Sequence, residues 1–412
     1  MRINNSGNYE YCRWATKVNR DTGPNISQVT PIEYFQHNNN QIRLQLLNGQ
    51  PLAGCQDCYA MEQHNKISGR QRQLLKVGVD LDNFDKTMAS SPWVSTWATS
   101  MAVGDTNQHP QDWQIDLGAY CNSACVFCSP TSSTKLAAEW KRIGFIDQLP
   151  AAGWADDPKL VKVLVDALVS SPTLKYLHFI GGETLITPAF KQILQALIDA
   201  GRTDPVIGFT TNLSVWDPEV FDLLKQFSGV NLGMSVESFT PVNDYVRWPL
   251  KLPTMLENLQ KWQQHSRPLS WLLQLRTTPT LLTISDLISV YDYAWQHNIP
   301  VESCNFFNNP VFLRPSVLPL NYRRPIIERM QLWLEQHPVL ELTSVNTRDP
   351  HRARSAIAQD LQSYVNYLSN EPDQSNYLPD LIQFLKKIEA SRGNNIIDYL
   401  PEYEELFRSA GY

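Results

Sequence analysis

No run of apolar residues in this 412-residue chain is long enough to span a bilayer, so nothing in it reads as a transmembrane segment. The N-terminal MRINNSGNYEYCRW is polar and lacks the apolar core of a secretory signal, which makes a soluble, cytoplasmic protein the expectation. Basic charge is short as well: 35 Lys and Arg stand against 41 Asp and Glu, a formal net charge of −6. No global positive field would draw nucleic acid or an anionic membrane, so neither is expected as a partner, although a local basic patch stays open. No segment repeats at a fixed period, which excludes solenoids and propellers. Cysteine is scarce and odd in number, at seven: Cys12, Cys55, Cys58, Cys121, Cys125, Cys128 and Cys304. Clustered, odd cysteines in a large chain without a signal argue for thiolates or metal ligands, not a disulfide framework. What remains is an ordinary globular composition, 42% hydrophobic and 18% charged, on a chain long enough for one large domain and a smaller one.

Along the chain, residues 1–75 are polar, with one short helix expected in IRLQLLNG, and residues 76–110 read as a connector rich in loop signals. From residue 111 the texture changes. Short apolar runs (WQIDLGAY, LKYLHFIGG, VIGFTTN, VNLGMSVES, SWLLQLRTTPT, PVESCNFFNN) alternate with amphipathic stretches such as DPKLVKVLVDALVSSP and PAFKQILQALIDAG. That alternation predicts an α/β fold, a parallel sheet with helices packed outside it. Six strand–helix units over residues 111–316 fit a partial (β/α)6 TIM-like barrel better than the full eight, and place reacting groups at the carboxyl ends of the strands. Residues 317–412 read as a helical C-terminal extension.

CNSACVFCSP, residues 121–130, follows the first of these strands. On spacing alone, C-x-x-x-C-x-x-C has three readings. Free cysteines are often simply buried. A closed structural zinc site wants four ligands, and no histidine or fourth cysteine lies close by. An iron–sulfur cluster could leave one iron without a protein ligand. Gly181-Gly182-Glu183 then closes the second strand; standing alone it would read as a glycine turn.

The two motifs, in this order and on these elements, resemble the radical S-adenosylmethionine (SAM) superfamily. The resemblance implies a [4Fe-4S] cluster held by Cys121, Cys125 and Cys128, with SAM on the open iron through its methionyl amine and carboxylate. Reductive cleavage of SAM then gives a 5′-deoxyadenosyl radical that abstracts hydrogen from substrate. Gly181 and Gly182 would permit close backbone approach, and Glu183 would accept from the methionyl ammonium. Phe127 is similar to the family aromatic near adenine; otherwise it caps the barrel mouth. Thr210, Thr211 and Asn212, with Ser235 and Glu237, sit where the family contacts the SAM carboxylate and ribose, or else serve the turns there. Arg276 would pair with the SAM carboxylate, bridge a carboxylate such as Glu237, or point at substrate.

QLLNGQPLAGCQDCYAMEQHNKISGRQRQ resembles the N-terminal segment of twitch-domain radical SAM proteins, relatives of the SPASM proteins with auxiliary clusters. NDYVRWP, NNPVFLRPSVLP and IEASRGNNIIDYLPEYEELF look like further landmarks of that group. On this reading Cys12, Cys55, Cys58 and Cys304 hold an auxiliary [4Fe-4S] cluster, although the adjacent cysteine pair usual in that group is missing. A buried strand cysteine is the alternative for Cys304, and zinc at the C-x-x-C with His64 the alternative for the pair. The function implied is radical modification of a ribosomal peptide by crosslinking, epimerisation or oxidation, with Trp248, Phe306, Phe307 and Phe312 lining a groove or packing the core. A small polar metabolite (sugar, nucleotide or amino acid) and a non-catalytic iron–sulfur or zinc protein are the alternatives. The implied partners are an external electron donor such as flavodoxin or ferredoxin and a separate peptide-recognition protein.

Overall fold

The computed structural model describes residues 1–12, 23–38, 40–47, 50–63, 68–76, 80, 83, 86, 108–269, 271–303, 306–337 and 350–412. Cys304 and His64, and nearly all of the 76–110 connector, lie outside the described residues.

Strands β1 (Arg2–Ile3), β2 (Tyr9–Glu10), β3 (Asp112–Asp116), β4 (Tyr176–Ile180), β5 (Val206–Thr211), β6 (Gly229–Ser235), β7 (Leu272–Thr277) and β8 (Val301–Ser303) form one sheet in the order β2-β1-β3-β4-β5-β6-β7-β8. Strands β3 to β8 are mutually parallel and in sequence order, the expected six units of an incomplete barrel. Each strand alternates two environments because successive side chains point to opposite faces. On the outer face Phe179 and Phe209 meet Phe190 of the helix Pro188–Asp199, and Phe209 meets Trp262 of the helix Leu252–Ser266. Each such ring, fully buried, contributes about 1.5–3 kcal/mol of transfer free energy. On the inner face two glycines leave room for the large side chains of the neighbouring strands. A Cβ on Gly208 would stand 2.2 Å from the Tyr176 hydroxyl, and one on Gly233 2.4 Å from Arg276 Nε.

Two of the crossover helices start where the sequence supplies Asp-Pro. Asp157 accepts from Lys159 N at 2.8 Å and opens the helix Pro158–Ser170; Asp217 accepts from Glu219 N and Val220 N and opens Pro218–Leu224. The helix Leu287–His297 ends on Asn298 in the left-handed conformation, φ +53°.

The first ten residues belong to the barrel sheet. Arg2 and Ile3 pair with Gln114 and Ile115 of β3, and β2 folds back antiparallel on β1. The sequence reading set these residues in a separate module of residues 1–75; strands of two residues are too short to show a period. An ionic knot seals the junction: Arg2 bonds Glu10 at 3.0 Å and lies 3.6 Å from Asp116, while Asn4 donates to Glu10 at 3.1 Å.

The C-terminal helices Leu320–Gln336, Pro350–Asn370 and Leu378–Arg392 share the barrel's core, with Met330, Leu361, Tyr364, Leu385 and Ile388 buried in the same cluster as Leu275. Phe306 stacks on Tyr367, Phe312 packs on Phe384, and Phe307 is buried. These three aromatics therefore pack the core and do not line a groove. Among the described residues no helix is long and apolar enough to cross a membrane.

Candidate cluster and cofactor site

The cysteine loop leaves the carboxyl end of β3 through Gly118, whose φ of +97° needs glycine and whose N–H donates to Asp116 Oδ1. The turn after β4 clasps its first residues: Leu117 N donates to Ile180 O, Gly182 N to Gly118 O and Glu183 N to Tyr120 O, each at 2.8 Å. A Cβ on Gly182 would lie 2.2 Å from the Tyr120 carbonyl oxygen, and one on Gly181 2.8 Å from the Gly118 oxygen. The glycine pair thus admits the cysteine loop's own backbone, where the sequence reading expected close approach by a ligand.

The middle of the loop is held from the opposite side. Ala124 N donates to Trp248 O at 2.7 Å and Val126 N to Val246 O at 2.8 Å. Ser133, the N-cap of the helix Thr134–Arg142, donates its hydroxyl to Ser123 O at 2.5 Å. Arg392 donates to Ala124 O at 2.7 Å while paired with Glu139 at 2.6 Å. Asn122 donates to Ser214 Oγ and accepts from Asn212 Nδ2, both at 2.9 Å, which ties the loop to the end of β5.

Cys125 is buried; Cys121 and Cys128 are half-buried. Ser123 Oγ lies 3.2 Å from Cys121 Sγ and 3.5 Å from Cys125 Sγ. Burial pushes the Cys128 thiol up to about 12, reinforced by Cys125 and Cys121; burial also raises Cys125, opposed first by Arg247. A metal bound to Cys125 and Cys128 would favour their thiolate form against this burial. Among the described residues no three His, Cys, Asp or Glu converge as ligands of a single ion. The thiolates of a four-iron cluster each bind a different iron and need not converge, so the donor set fits a cluster with one iron left open.

The remaining sequence-selected residues divide in two. Glu183 and Glu237 are buried and occupied. Glu183 accepts from Thr211 Oγ1 at 2.8 Å, Leu185 N at 3.1 Å and Asn212 N at 2.5 Å, a strut between the ends of β4 and β5. Burial raises its carboxyl, against those three donors. Glu237 accepts from Arg247 Nη2 at 2.6 Å, Thr277 Oγ1 at 3.0 Å and Thr278 N at 2.6 Å, joining β6 to β7. With three donors on each carboxylate, both spend their acceptor capacity mainly on strand ends, where contacts to ammonium and ribose were expected. Thr210, Ser235 and Arg276 are half-buried at the inner mouth. Arg276 Nη1 donates to Thr210 Oγ1 at 3.1 Å, and Ser235 stands opposite Arg276 in register. Arg276 does not take Glu237 as its partner; Arg247 does. Phe127 is half-buried, with the Arg247 guanidinium 5.6 Å from its ring centre.

Sequence reading did not single out Arg247, Asn122, Ser123, Ser214 or Arg392. NDYVRWP carried Arg247 in plain view, but its contact with the cysteine loop spans more than a hundred residues of sequence, and no local pattern encodes that.

At the N-terminus Cys12, Cys55 and Cys58 share one neighbourhood. Burial raises the Cys55 thiol, and Cys12 and Cys58 raise it further; Tyr11, pushed up to about 12 by burial, is also acted on by Cys55 and Cys12. Cys55 closes the turn Ala53–Cys55 and Cys58 lies in the helix Gln56–Gln63.

No curated protein matches the chain. Among solved structures it is similar to SuiB of Streptococcus suis bound to S-adenosylmethionine, at 14% identity over 73% of this chain and 64% of that one, with a TM-score of 0.37. SuiB bound to its precursor peptide SuiA gives 13% identity, 69% and 60% coverage and a TM-score of 0.36. The structure of anSMEcpe with bound AdoMet gives 13%, 55% and 61%, and 0.39. The chain thus spans 64% of the length of the SuiB structure. Residues 115–273, from inside β3 to inside β7, match the family model of the radical SAM superfamily. That segment contains the cysteine loop and the strand ends clasped around it.

Proposed function

We propose that this protein is a radical SAM enzyme. The observation that carries the reading is the placement of Cys121, Cys125 and Cys128 on a loop clamped at the mouth of a six-strand parallel barrel, inside the matched segment. When bound, a [4Fe-4S] cluster and SAM supply an electron and a sulfonium carbon–sulfur bond, whose cleavage gives a 5′-deoxyadenosyl radical. Cys121, Cys125 and Cys128 hold the cluster. Thr210, Ser235 and Arg276, half-buried at the inner mouth, orient the cofactor, Arg276 offering its guanidinium to the SAM carboxylate. Glu183 and Glu237 keep the strand ends at fixed spacing, so the mouth stays shaped for one ligand pose. The helices packed outside the sheet exclude water from the barrel's flank.

Cys12, Cys55 and Cys58 are proposed to hold an auxiliary cluster, with Cys304 the fourth thiol the sequence offers. The substrate class proposed is a ribosomal peptide, on the resemblance of the N-terminal C-x-x-C segment to the twitch and SPASM proteins; an external flavodoxin or ferredoxin would serve as reductant. The test is anaerobic reconstitution followed by SAM and reductant. The reading requires release of 5′-deoxyadenosine by the wild type and its loss in Cys125→Ala. Intact SAM in an iron-loaded wild type would contradict it. An iron content of about eight per chain supports two clusters, and about four removes the auxiliary one.

A further inference from the structure

Arg247 follows the short helix Val242–Val246 and is 6% exposed, an unusual depth for a guanidinium. Its neighbours in sequence are pinned to the neighbours of Cys125. Val246 O accepts from Val126 N at 2.8 Å, and Trp248 O from Ala124 N at 2.7 Å. These two backbone bonds hold residues 246–248 alongside residues 124–126 and so keep Arg247 close to Cys125 in the fold. The guanidinium extends over the face of Phe127, 5.6 Å from the ring centre, so it is flanked by the residue just before the third cysteine. Glu237 takes its Nη2 at 2.6 Å. Its Nε is buried, and among the described residues nothing accepts from it.

Arg247 acts on Cys125 more strongly than Glu237 does, and it acts on Cys128 as well. The reciprocal holds: Glu237, Cys125 and Cys128 all favour the charged form of Arg247, against its burial. A cation buried beside Cys125 and Cys128 meets a low local dielectric, where its field is stronger than at a surface. Reducing a cluster adds one negative charge to the same place, and a nearby positive charge stabilises the reduced form more than the oxidised one.

We propose that Arg247 is a positioning residue of the radical SAM site that raises the reduction potential of the cluster held by Cys121, Cys125 and Cys128, acting from its buried place against Phe127 and the cysteine loop. The proposal rests on the cluster reading above and adds to it a residue outside the cysteine and glycine motifs.

The experiment is potentiometric titration of the anaerobically reconstituted protein, followed by electron paramagnetic resonance. The core cluster is identified as the species whose signal changes when SAM is added. Arg247→Gln is expected to hold iron and to show a midpoint potential shifted negative of the wild type. Arg247→Lys keeps the charge and should lie between the two. The paired substitution Arg247→Gln with Glu237→Gln removes both charges, leaves no unpaired ion, and is expected to retain a negative shift because Arg247 packs on the cysteine loop at Phe127 while Glu237 is tied to Thr277 and Thr278. If the single Arg247→Gln variant does not fold, the paired variant decides. An iron-replete neutral variant with the wild-type potential overturns the proposal, as does an Arg247→Lys potential as low as that of Arg247→Gln. A wild type that assembles no SAM-responsive cluster overturns the underlying reading instead, and the two failures are told apart in the same titration.

Discussion

Gly182 shows how a motif residue can serve the fold before it serves a ligand. Its missing Cβ is the space taken by the Tyr120 carbonyl, one residue before Cys121. Gly182→Ala must therefore push the cysteine loop away from the β4 turn, at a cost of about 1–3 kcal/mol for overpacking. The expected result is a lower denaturation midpoint together with lower iron uptake on reconstitution. Gly201→Ala, where nothing lies within 4 Å and only the positive φ is strained, should leave iron uptake intact. A second prediction belongs to Asp116, at the junction of β3 and the loop. Burial raises its carboxyl to about 6 from an ordinary value near 3.8, against Arg2 and the Gly118 N–H. The folded state thus holds a proton that the unfolded chain has released, so this residue's contribution falls as pH rises from about 4 to about 6. Asp116→Asn removes that dependence, and its melting temperature relative to wild type should be higher at pH 8 than at pH 4.

At the scale of elements, the six parallel strands and their crossover helices were legible because each carries its own period and its own start signal: Leu177 and Phe179 alternate on β4, and Asp-Pro opens two of the helices. The loop bearing the three cysteines was legible for the same reason, since its ligands lie within eight residues of one another. What was not legible is everything that holds the loop from a distance. The β1–β2 hairpin has two residues per strand, below the length at which alternation can be seen. Glu183 and Glu237 read as ligand-facing because a carboxylate after a strand is ambiguous until its donors are known. Arg392 ends the helix Leu378–Arg392 and reaches the loop across most of the chain. It is buried with Glu139, and removing one partner of such a pair costs about 3–5 kcal/mol. Arg392→Met should lower stability by that order in a denaturant titration and, because Ala124 O loses its donor, slow cluster assembly. The double change Arg392→Met with Glu139→Met should recover most of the stability without recovering the loop's anchor.

At the scale of the whole molecule, barrel and C-terminal helices share one hydrophobic core, and the cysteine loop sits where β3, the β4 turn, residues 246–248 and the last long helix meet. Rigid positioning from four directions is what an open metal position requires, since the ligands present must stay fixed while one site exchanges. The N-terminal hairpin joins that barrel, and only Tyr11 separates its second strand from Cys12, so Cys12 is tethered to the same sheet edge. The central claim is that three thiols hold a cluster whose fourth iron is free for SAM. The most direct measurement uses a variant carrying Cys12→Ala, Cys55→Ala and Cys58→Ala, reconstituted and reduced, with its electron paramagnetic resonance spectrum recorded before and after SAM is added. The account predicts about four irons per chain and a spectrum that changes on SAM addition. A variant that binds no iron, or a cluster whose spectrum SAM leaves unchanged, would contradict it.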